Sequence, residues 1–126
     1  MTLQKEEVTV QKLLELIVNL VDEQKSKNIT TYQLNDPTLF DYVVIVTAQN
    51  KVHGKGLLDS IVKLSKDYPL AKSDEFYEFP HVSGHIDSEW ITIDFNTIVV
   101  HVMGEAIREH YGLDDILQHK AVTWHK

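Results

Sequence analysis

Two apolar segments joined by only two residues constrain the fold of this chain more than any other feature of its sequence. Residues 90–95 and 98–103 are rich in β-branched and aromatic side chains, and Asn96-Thr97 separates them. A two-residue connection is typical of a tight β-hairpin, although Thr at the second turn position is less favourable than Gly. We therefore predict two adjacent antiparallel strands, and the short turn also sets which residues lie opposite each other.

This predicted pairing gives the hairpin two chemically different faces, because side chains alternate along a strand. The first face carries only apolar residues and is predicted to lie in the core: Ile91, Ile93, Phe95, Ile98, Val100 and Val102. The second face mixes an aromatic residue with polar and charged ones: Trp90, Thr92, Asp94, Val99, His101 and Met103. Such a mixture is typical of a protein interface, in which the aromatic side chain anchors the partner. The alternative is that Trp90 packs beneath a neighbouring helix or loop.

Helical and strand patterns alternate along the rest of the chain. The spacing of apolar residues predicts helices over about 9–25, 53–67 and 105–111, with a further turn over 113–118. Strands are predicted over 29–34, 42–47 and 76–79, a loop over 81–88 and a polar tail over 119–126. We therefore expect one α/β domain over residues 1–126, with a core over about 9–118 and helices packed on a mixed sheet.

Composition narrows the classes of function. A net charge of −7 argues against binding nucleic acid through its phosphates, so no direct sequence-specific contact with nucleic acid is expected. No apolar stretch approaches the ~20 residues of a membrane-spanning helix. The first residues lack the basic and apolar regions of a secretory signal, so we expect a cytoplasmic protein without membrane contact. An acidic surface would favour encounter with a basic protein partner.

The hairpin also resembles a known family. Residues 87–103 are similar to the signature of the ribosomal silencing factors, or Iojap-like proteins, in which W-[IV]-x-[IVL]-D is followed by [IV]-V-V-H. The likeness continues through residues of the following helix, namely Glu105, Arg108, Tyr111 and Leu113. Residues 40–47 are similar to the Asp-led central strand of the family, and the likeness as a whole covers roughly residues 13–117.

The resemblance implies a compact α/β fold related to nucleotidyltransferases, without their catalytic motif, without enzymatic activity and without a cofactor. It further implies binding to protein fourteen of the large ribosomal subunit at the subunit interface. That binding would block joining of the small subunit and repress translation under nutrient limitation. Trp90 and Asp94 match family positions on the docking face. The oligomeric state stays open, with a homodimer as one option.

The loops depart from the family pattern. Residues 48–53 keep only the His of the family's Gly-x-Ser-x-Arg-His loop, and Ser83-Gly84 stands where the family has Glu-Gly. Gln33 replaces the usual Asp of the first strand, and the segment after Gln118 is additional. The loops therefore differ from the family in sequence, whereas the hairpin motif is intact.

One alternative function is that of a small nucleotidyltransferase-like enzyme. That chemistry needs two neighbouring carboxylates to hold Mg²⁺ beside the phosphates of the substrate. A strand would supply them as Asp-x-Asp, but Asp94 has Thr92 and Asn96 at those spacings. We therefore expect no catalytic residues.

A second alternative is a metal-binding protein, because the chain contains seven His and no Cys. His81 and His85 are four residues apart, but Pro80 and Gly84 predict a loop there rather than a helix face. The remaining His residues form no helical pair with a third ligand, so no metal site is expected.

Overall fold

The computed structural model describes residues 7–34, 41–70 and 80–126, and these ranges form a six-stranded sheet with helices on both faces. The elements in chain order are α1 (Val10–Glu23), β1 (Lys27–Leu34), β2 (Tyr42–Ala48), α2 (Lys51–Asp67), β3 (His81–His85), β4 (Trp90–Asp94), β5 (Ile98–Gly104), α3 (Glu105–Tyr111), α4 (Leu113–Gln118) and β6 (Ala121–His125). The strand order is β3-β4-β5-β2-β1-β6. Strands β2 and β5 are parallel, and the other neighbours are antiparallel. The predicted mixed α/β fold is confirmed.

The β4–β5 hairpin has the register that its two-residue turn predicts. Trp90 lies opposite Met103, and Asp94 lies opposite Val99. Asn96 adopts a φ of 70°, which is the left-handed conformation that the first position of the favoured hairpin turn requires. Its backbone N–H donates a hydrogen bond to the carboxylate of Asp94 at 2.7 Å. The turn is therefore stabilised by the last side chain of β4.

Helices α1 and α2 cover one face of the sheet and enclose the main core. All six hairpin residues predicted to lie in this core are buried there: Ile91, Ile93, Phe95, Ile98, Val100 and Val102. The two helices contribute the fully buried side chains of Leu13, Ile17, Val21, Leu57 and Ile61. Burial of each aliphatic side chain of this size stabilises the fold by about 1.5–3 kcal/mol. The hairpin is thus held to the helices by its apolar face.

Helices α3 and α4 cover part of the opposite face. They pack Ile107, Leu113 and Leu117 against a second buried cluster, which consists of Tyr32, Val43, Ile45 and Met103. Strands β2 and β5 lie between the two helical layers, which explains why every residue of β2 is buried. None of the helices in the described ranges has the length and apolarity needed to cross a membrane.

The segment predicted as a loop over residues 81–88 is instead a strand followed by one turn of 3-10 helix. His81–His85 forms β3, which pairs with β4, and the turn spans Ile86–Ser88. All five residues of β3 are exposed, so the strand has no buried face that could produce an apolar alternation in the sequence. Gly84 has a φ of 89°, and a Cβ at this position would lie 2.2 Å from the carbonyl oxygen of Trp90. Only Gly fits at this point of the strand.

The expectation of a polar tail over residues 119–126 is also wrong. Ala121–His125 forms β6, which pairs with β1 along its whole length. An outer strand is stabilised mainly by backbone hydrogen bonds, which the sequence pattern does not reveal. The strand predicted over residues 76–79 lies outside the described residues.

Arg108 connects the two short helices to the sheet. Its guanidinium donates to both carboxylate oxygens of Asp114, at 2.8 and 3.0 Å, and to the hydroxyls of Thr47 and Thr30, at 3.1 and 3.0 Å. The hydroxyl of Tyr32 also donates to Asp114. Burial raises the pKa of Asp114, but the hydrogen bonds from Arg108 and Tyr32 outweigh this effect and leave the pKa below its ordinary value. The ionised pair therefore fixes α3 and α4 against β1 and β2.

We expect Arg108→Met to lower the free energy of unfolding by about 2–3 kcal/mol, because Asp114 would lose its charged partner in a partly buried position. Lys55→Met is the matched control. Both side chains of the Lys55–Asp59 ion pair are exposed to solvent, so the loss of this pair should change the free energy of unfolding by less than ~0.5 kcal/mol. Urea denaturation of both variants measures the difference. Equal unfolding midpoints for the two variants would contradict a structural role for Arg108.

Candidate protein-interaction site

The six residues predicted for the interaction site share one face of β4 and β5, but they differ in exposure. Trp90, Thr92, Asp94 and His101 are half-buried, so part of each side chain reaches the surface. Val99 and Met103 are only 3% and 0% exposed. The expectation that these last two side chains contact a partner is therefore wrong for this structure.

The burial of these two residues has a tertiary cause. Met103 lies in the cluster that α3 and α4 cover, together with Val43 and Ile45 of the neighbouring strand. Val99 lies on an interior strand between Asp94 of β4 and Val43 of β2. Both side chains are therefore buried in the protein and do not form part of its surface.

Trp90 is held in a defined orientation by its own chain. Its indole Nε1 donates a hydrogen bond to Nδ1 of His101 at 3.0 Å. Its ring also packs on the ring of Tyr111, the last residue of α3, with centroids 5.0 Å apart and planes inclined at 52°. One side of the indole therefore packs against α3, while part of the ring stays exposed.

His101 is a neutral hydrogen-bond acceptor in this arrangement. Burial lowers its pKa to about 4, well below the ordinary value of 6.5. The hydroxyl of Thr92 lies 3.3 Å from the same Nδ1 atom that accepts the indole N–H. His101 therefore orients Trp90 and adds no positive charge to the surface at neutral pH.

Strand β3 widens the face beyond the residues that the sequence indicated. His81, Ser83 and His85 lie opposite Asp94, Thr92 and Trp90, respectively, so their side chains share that face. We call the accessible part of this face the hairpin surface, and it consists of Trp90, Thr92, Asp94, His101, Tyr111, His81, Ser83 and His85. The sequence interpretation missed the β3 residues because it placed them in a loop. It also missed the contact of Tyr111 with Trp90, which no spacing along the chain reveals.

The arrangement does not offer a metal site. His81 and His85 lie on one strand four residues apart, which separates them by about 13 Å. In the ranges 7–34, 41–70 and 80–126, no group of three or more His, Cys, Asp or Glu side chains is placed to hold an ion.

His53, which the family loop also contains, has a structural role. Its Nδ1 accepts a hydrogen bond from the backbone N–H of Gln49 at 2.9 Å, and its Nε2 lies 2.7 Å from the carbonyl oxygen of Gln24. The side chain of Asn50 caps the same end of α2 by accepting from the N–H of His53 at 2.8 Å. These contacts join the start of α2 to the end of α1.

We expect the free energy of unfolding to fall by about 2 kcal/mol between pH 7.5 and pH 5 because of His101 alone. The unfolded chain binds a proton at this residue near pH 6.5, whereas the folded chain does so only near pH 4. Acid therefore favours unfolding across this window, and above it His101 has no effect on pH dependence. His101→Gln keeps an acceptor for Trp90 and removes the titration. Urea denaturation at both pH values should show a smaller acid loss in this variant, and an equal loss would contradict the assignment.

Comparison with known proteins identifies relatives along most of the chain. Residues 7–124 match the model of a family described as ribosomal silencing factor during starvation. A ribosomal silencing factor RsfS from Halalkalibacterium halodurans is 23% identical over 107 residues, covering 84% of this chain and 86% of that protein. A mouse protein named mitochondrial assembly of ribosomal large subunit protein 1 is 24% identical over 104 residues, which cover 82% of this chain and 44% of the mouse protein.

The fold is shared as well. A crystal structure of a Chromobacterium violaceum protein superimposes with a TM-score of 0.73 at 24% identity and covers 88% of each chain. The family match reaches residue 124, so most of β6 lies within it and is not the addition that the sequence suggested. Because this match spans nearly the whole chain, the protein belongs to the ribosomal silencing factor family, whose members are ribosome-associated regulators and not enzymes.

Proposed function

We propose that this chain acts in the cytoplasm as a translational repressor that docks on the large ribosomal subunit. The docking partner is protein fourteen at the subunit interface, and the bound chain prevents the small subunit from joining when nutrients are limiting. Membership of the family supports the ribosomal part of the proposal, and the name of the mouse relative supports the large subunit. The single observation that carries the docking site is the oriented, partly exposed Trp90 on the hairpin surface.

The physical case begins with Trp90. A large aromatic side chain at the centre of an interface commonly supplies much of the binding free energy. Here His101 and Tyr111 already restrict the indole, so less conformational entropy is lost when a partner packs against it. The hairpin surface therefore presents a preorganised apolar anchor.

Asp94 supplies the charge next to this anchor. One of its carboxylate oxygens accepts the N–H of Asn96, and the residue is half-buried, so the carboxylate has a fixed position at the surface. A carboxylate held in this way can accept charge-assisted hydrogen bonds from Lys or Arg of a basic partner. The net charge of −7 attracts such a partner over a longer range.

Strand β3 adds exposed polar groups beside the anchor, notably Ser83 opposite Thr92. Polar side chains around an aromatic centre exclude partners that lack matching donors and acceptors. Met103 contributes to the site indirectly, because it lies in the cluster that α3 and α4 cover, and buried Val99 lies between β4 and β2 in the interior of the sheet.

We expect Trp90→Ala to weaken binding to purified large subunits by about 2 kcal/mol or more, while lowering folding stability by less than the ~3–5 kcal/mol typical of a fully buried Trp. Ile93→Ala is the matched control on the same strand. Ile93 is fully buried, so this change should lower stability by about 2–5 kcal/mol and leave binding per folded molecule unchanged. Co-sedimentation measures binding, and urea denaturation measures stability.

The same samples test repression. Wild-type protein added to separated subunits should reduce the fraction of joined ribosomes in a density gradient, and Trp90→Ala should restore it. Unchanged binding by Trp90→Ala would remove Trp90 from the docking site, although the family assignment would stand. Binding without any effect on subunit joining would contradict the repression mechanism alone.

We expect affinity for the large subunit to fall as salt concentration rises, because opposite charges on the two partners are screened. Asp94→Asn should weaken binding at low salt and reduce this dependence. Asp59→Asn is the control, since it makes the same change of charge on the exposed side of α2, away from the hairpin surface. Equal effects of the two substitutions would show that only net charge matters and that Asp94 makes no specific contact.

A further inference from the structure

A second concave surface lies at the end of the sheet where the parallel strands β2 and β5 finish. It is an open cleft of about 670 Å³ between the first turn of α2 and the residue that precedes β4. Residues 49–53 line one wall of the cleft, and Glu89 lines the other. Glu89 directly precedes Trp90 in the chain, so their Cα atoms are about 3.8 Å apart. The cleft therefore adjoins the hairpin surface.

The backbone fixes the position of Glu89 at this cleft. Glu89 has a φ of 56°, a left-handed conformation that is unfavourable for most residues with a side chain. Its N–H donates to the carbonyl of Ile86 at 3.1 Å, and its carbonyl accepts the N–H of Gly104 at 2.9 Å. A Cβ at Gly104 would lie 3.2 Å from Oε1 of Glu89, so the missing side chain of this glycine leaves room for the carboxylate.

The charge of Glu89 is not compensated within the described parts of the chain. The side chain is exposed and forms no ion pair with any residue of these ranges. Lys51 lines the same cleft, but its ammonium group already pairs with the carboxylate of Asp87 at 3.7 Å. Both ring nitrogens of His53 lie within hydrogen-bond distance of backbone groups. The cleft therefore presents one carboxylate that is available to a cation from outside.

The wall formed by α2 adds an apolar group. Val52 lies in the first turn of α2 and is 82% exposed, more than any other large hydrophobic side chain in the described ranges. Lys and Arg have long apolar stems, which pack on apolar surface while the charged head reaches an acceptor. A carboxylate and an exposed apolar side chain that line one cleft therefore fit the side chain of a Lys or Arg.

We propose that the cleft binds a Lys or Arg side chain of the same basic protein that docks on the hairpin surface. Glu89 accepts the cationic head, and Val52 packs against the apolar stem. The inference rests on the proposed function and extends the docking site around the end of the sheet. Two separate contacts, at Trp90 and in the cleft, fix the orientation of the docked chain. The carboxylate of Glu89 attracts a basic protein, whereas it repels the phosphates of RNA.

Co-sedimentation of the full chain with purified large subunits at low salt tests the proposal. Glu89→Gln keeps the size of the side chain and removes its charge, so it should raise the dissociation constant by about tenfold. Asp59→Asn is the matched control, because it makes the same change of net charge on the exposed side of α2. Its dissociation constant should stay within about twofold of the wild-type value, since a charge away from the interface is screened.

Two further variants separate docking from folding. Glu89→Gly removes the carboxylate and relieves the left-handed backbone. It should weaken docking as much as Glu89→Gln, while its midpoint of urea denaturation stays at or above that of the wild type. Val52→Arg places a cation of the chain itself in the cleft, at the position where the family pattern has Arg. It should also raise the dissociation constant by about tenfold, because it repels the incoming Lys or Arg.

The outcomes distinguish this inference from the proposed function. Wild-type affinity in Glu89→Gln or in Val52→Arg, in a chain whose docking Trp90→Ala weakens, would overturn the inference alone. Tighter binding by Glu89→Gln would also overturn it, because the cleft would then face RNA phosphates. A wild-type chain that does not bind large subunits, or binding that neither Trp90→Ala nor Glu89→Gln weakens, would count against both proposals.

Discussion

The position of β5 between β4 and β2 is the constraint on which the rest of the structure depends. The short turn after β4 makes β5 antiparallel to β4, and the chain passes from β2 through α2, β3 and β4 before β5 lies parallel to β2. One side of β5 faces α1 and α2 with Ile98, Val100 and Val102, while the other side carries Met103 beneath α3 and α4. Helices pack on both faces of β5, so a shift of its strand pairing by one residue would move every side chain to the opposite face. The register is therefore strongly specified.

The hairpin surface follows from this register. Strand pairing places His101 opposite Thr92 and close enough to Trp90 to accept its indole N–H. The helix that begins directly after β5 then brings Tyr111 against the same ring. The position of that helix is secured by Arg108, whose guanidinium bonds reach both the sheet and α4. The contacts of Arg108 that stabilise the fold therefore also help to hold Tyr111 against Trp90.

The two outer strands of the sheet have different chemical characters. Strand β3 is exposed along its whole length and presents polar side chains and His beside the hairpin surface. Strand β6 presents Val122 and Trp124 next to an apolar groove. The polar side chains of β3 suit the margin of a protein interface.

The sequence by itself determined the β4–β5 hairpin, its register and its buried face, because a two-residue turn and the alternation of side chains leave one pairing that buries the apolar residues. The motif within the same hairpin also indicated the family. It did not determine that Met103 is covered by α3 and α4, or that Val99 is buried on an interior strand, since both depend on tertiary packing. Nor did it reveal β3 and β6, because outer strands are held by backbone hydrogen bonds that any side chain can accompany. Tertiary structure alone decided which part of the predicted face stays accessible, because accessibility is a property of packing between elements distant in sequence.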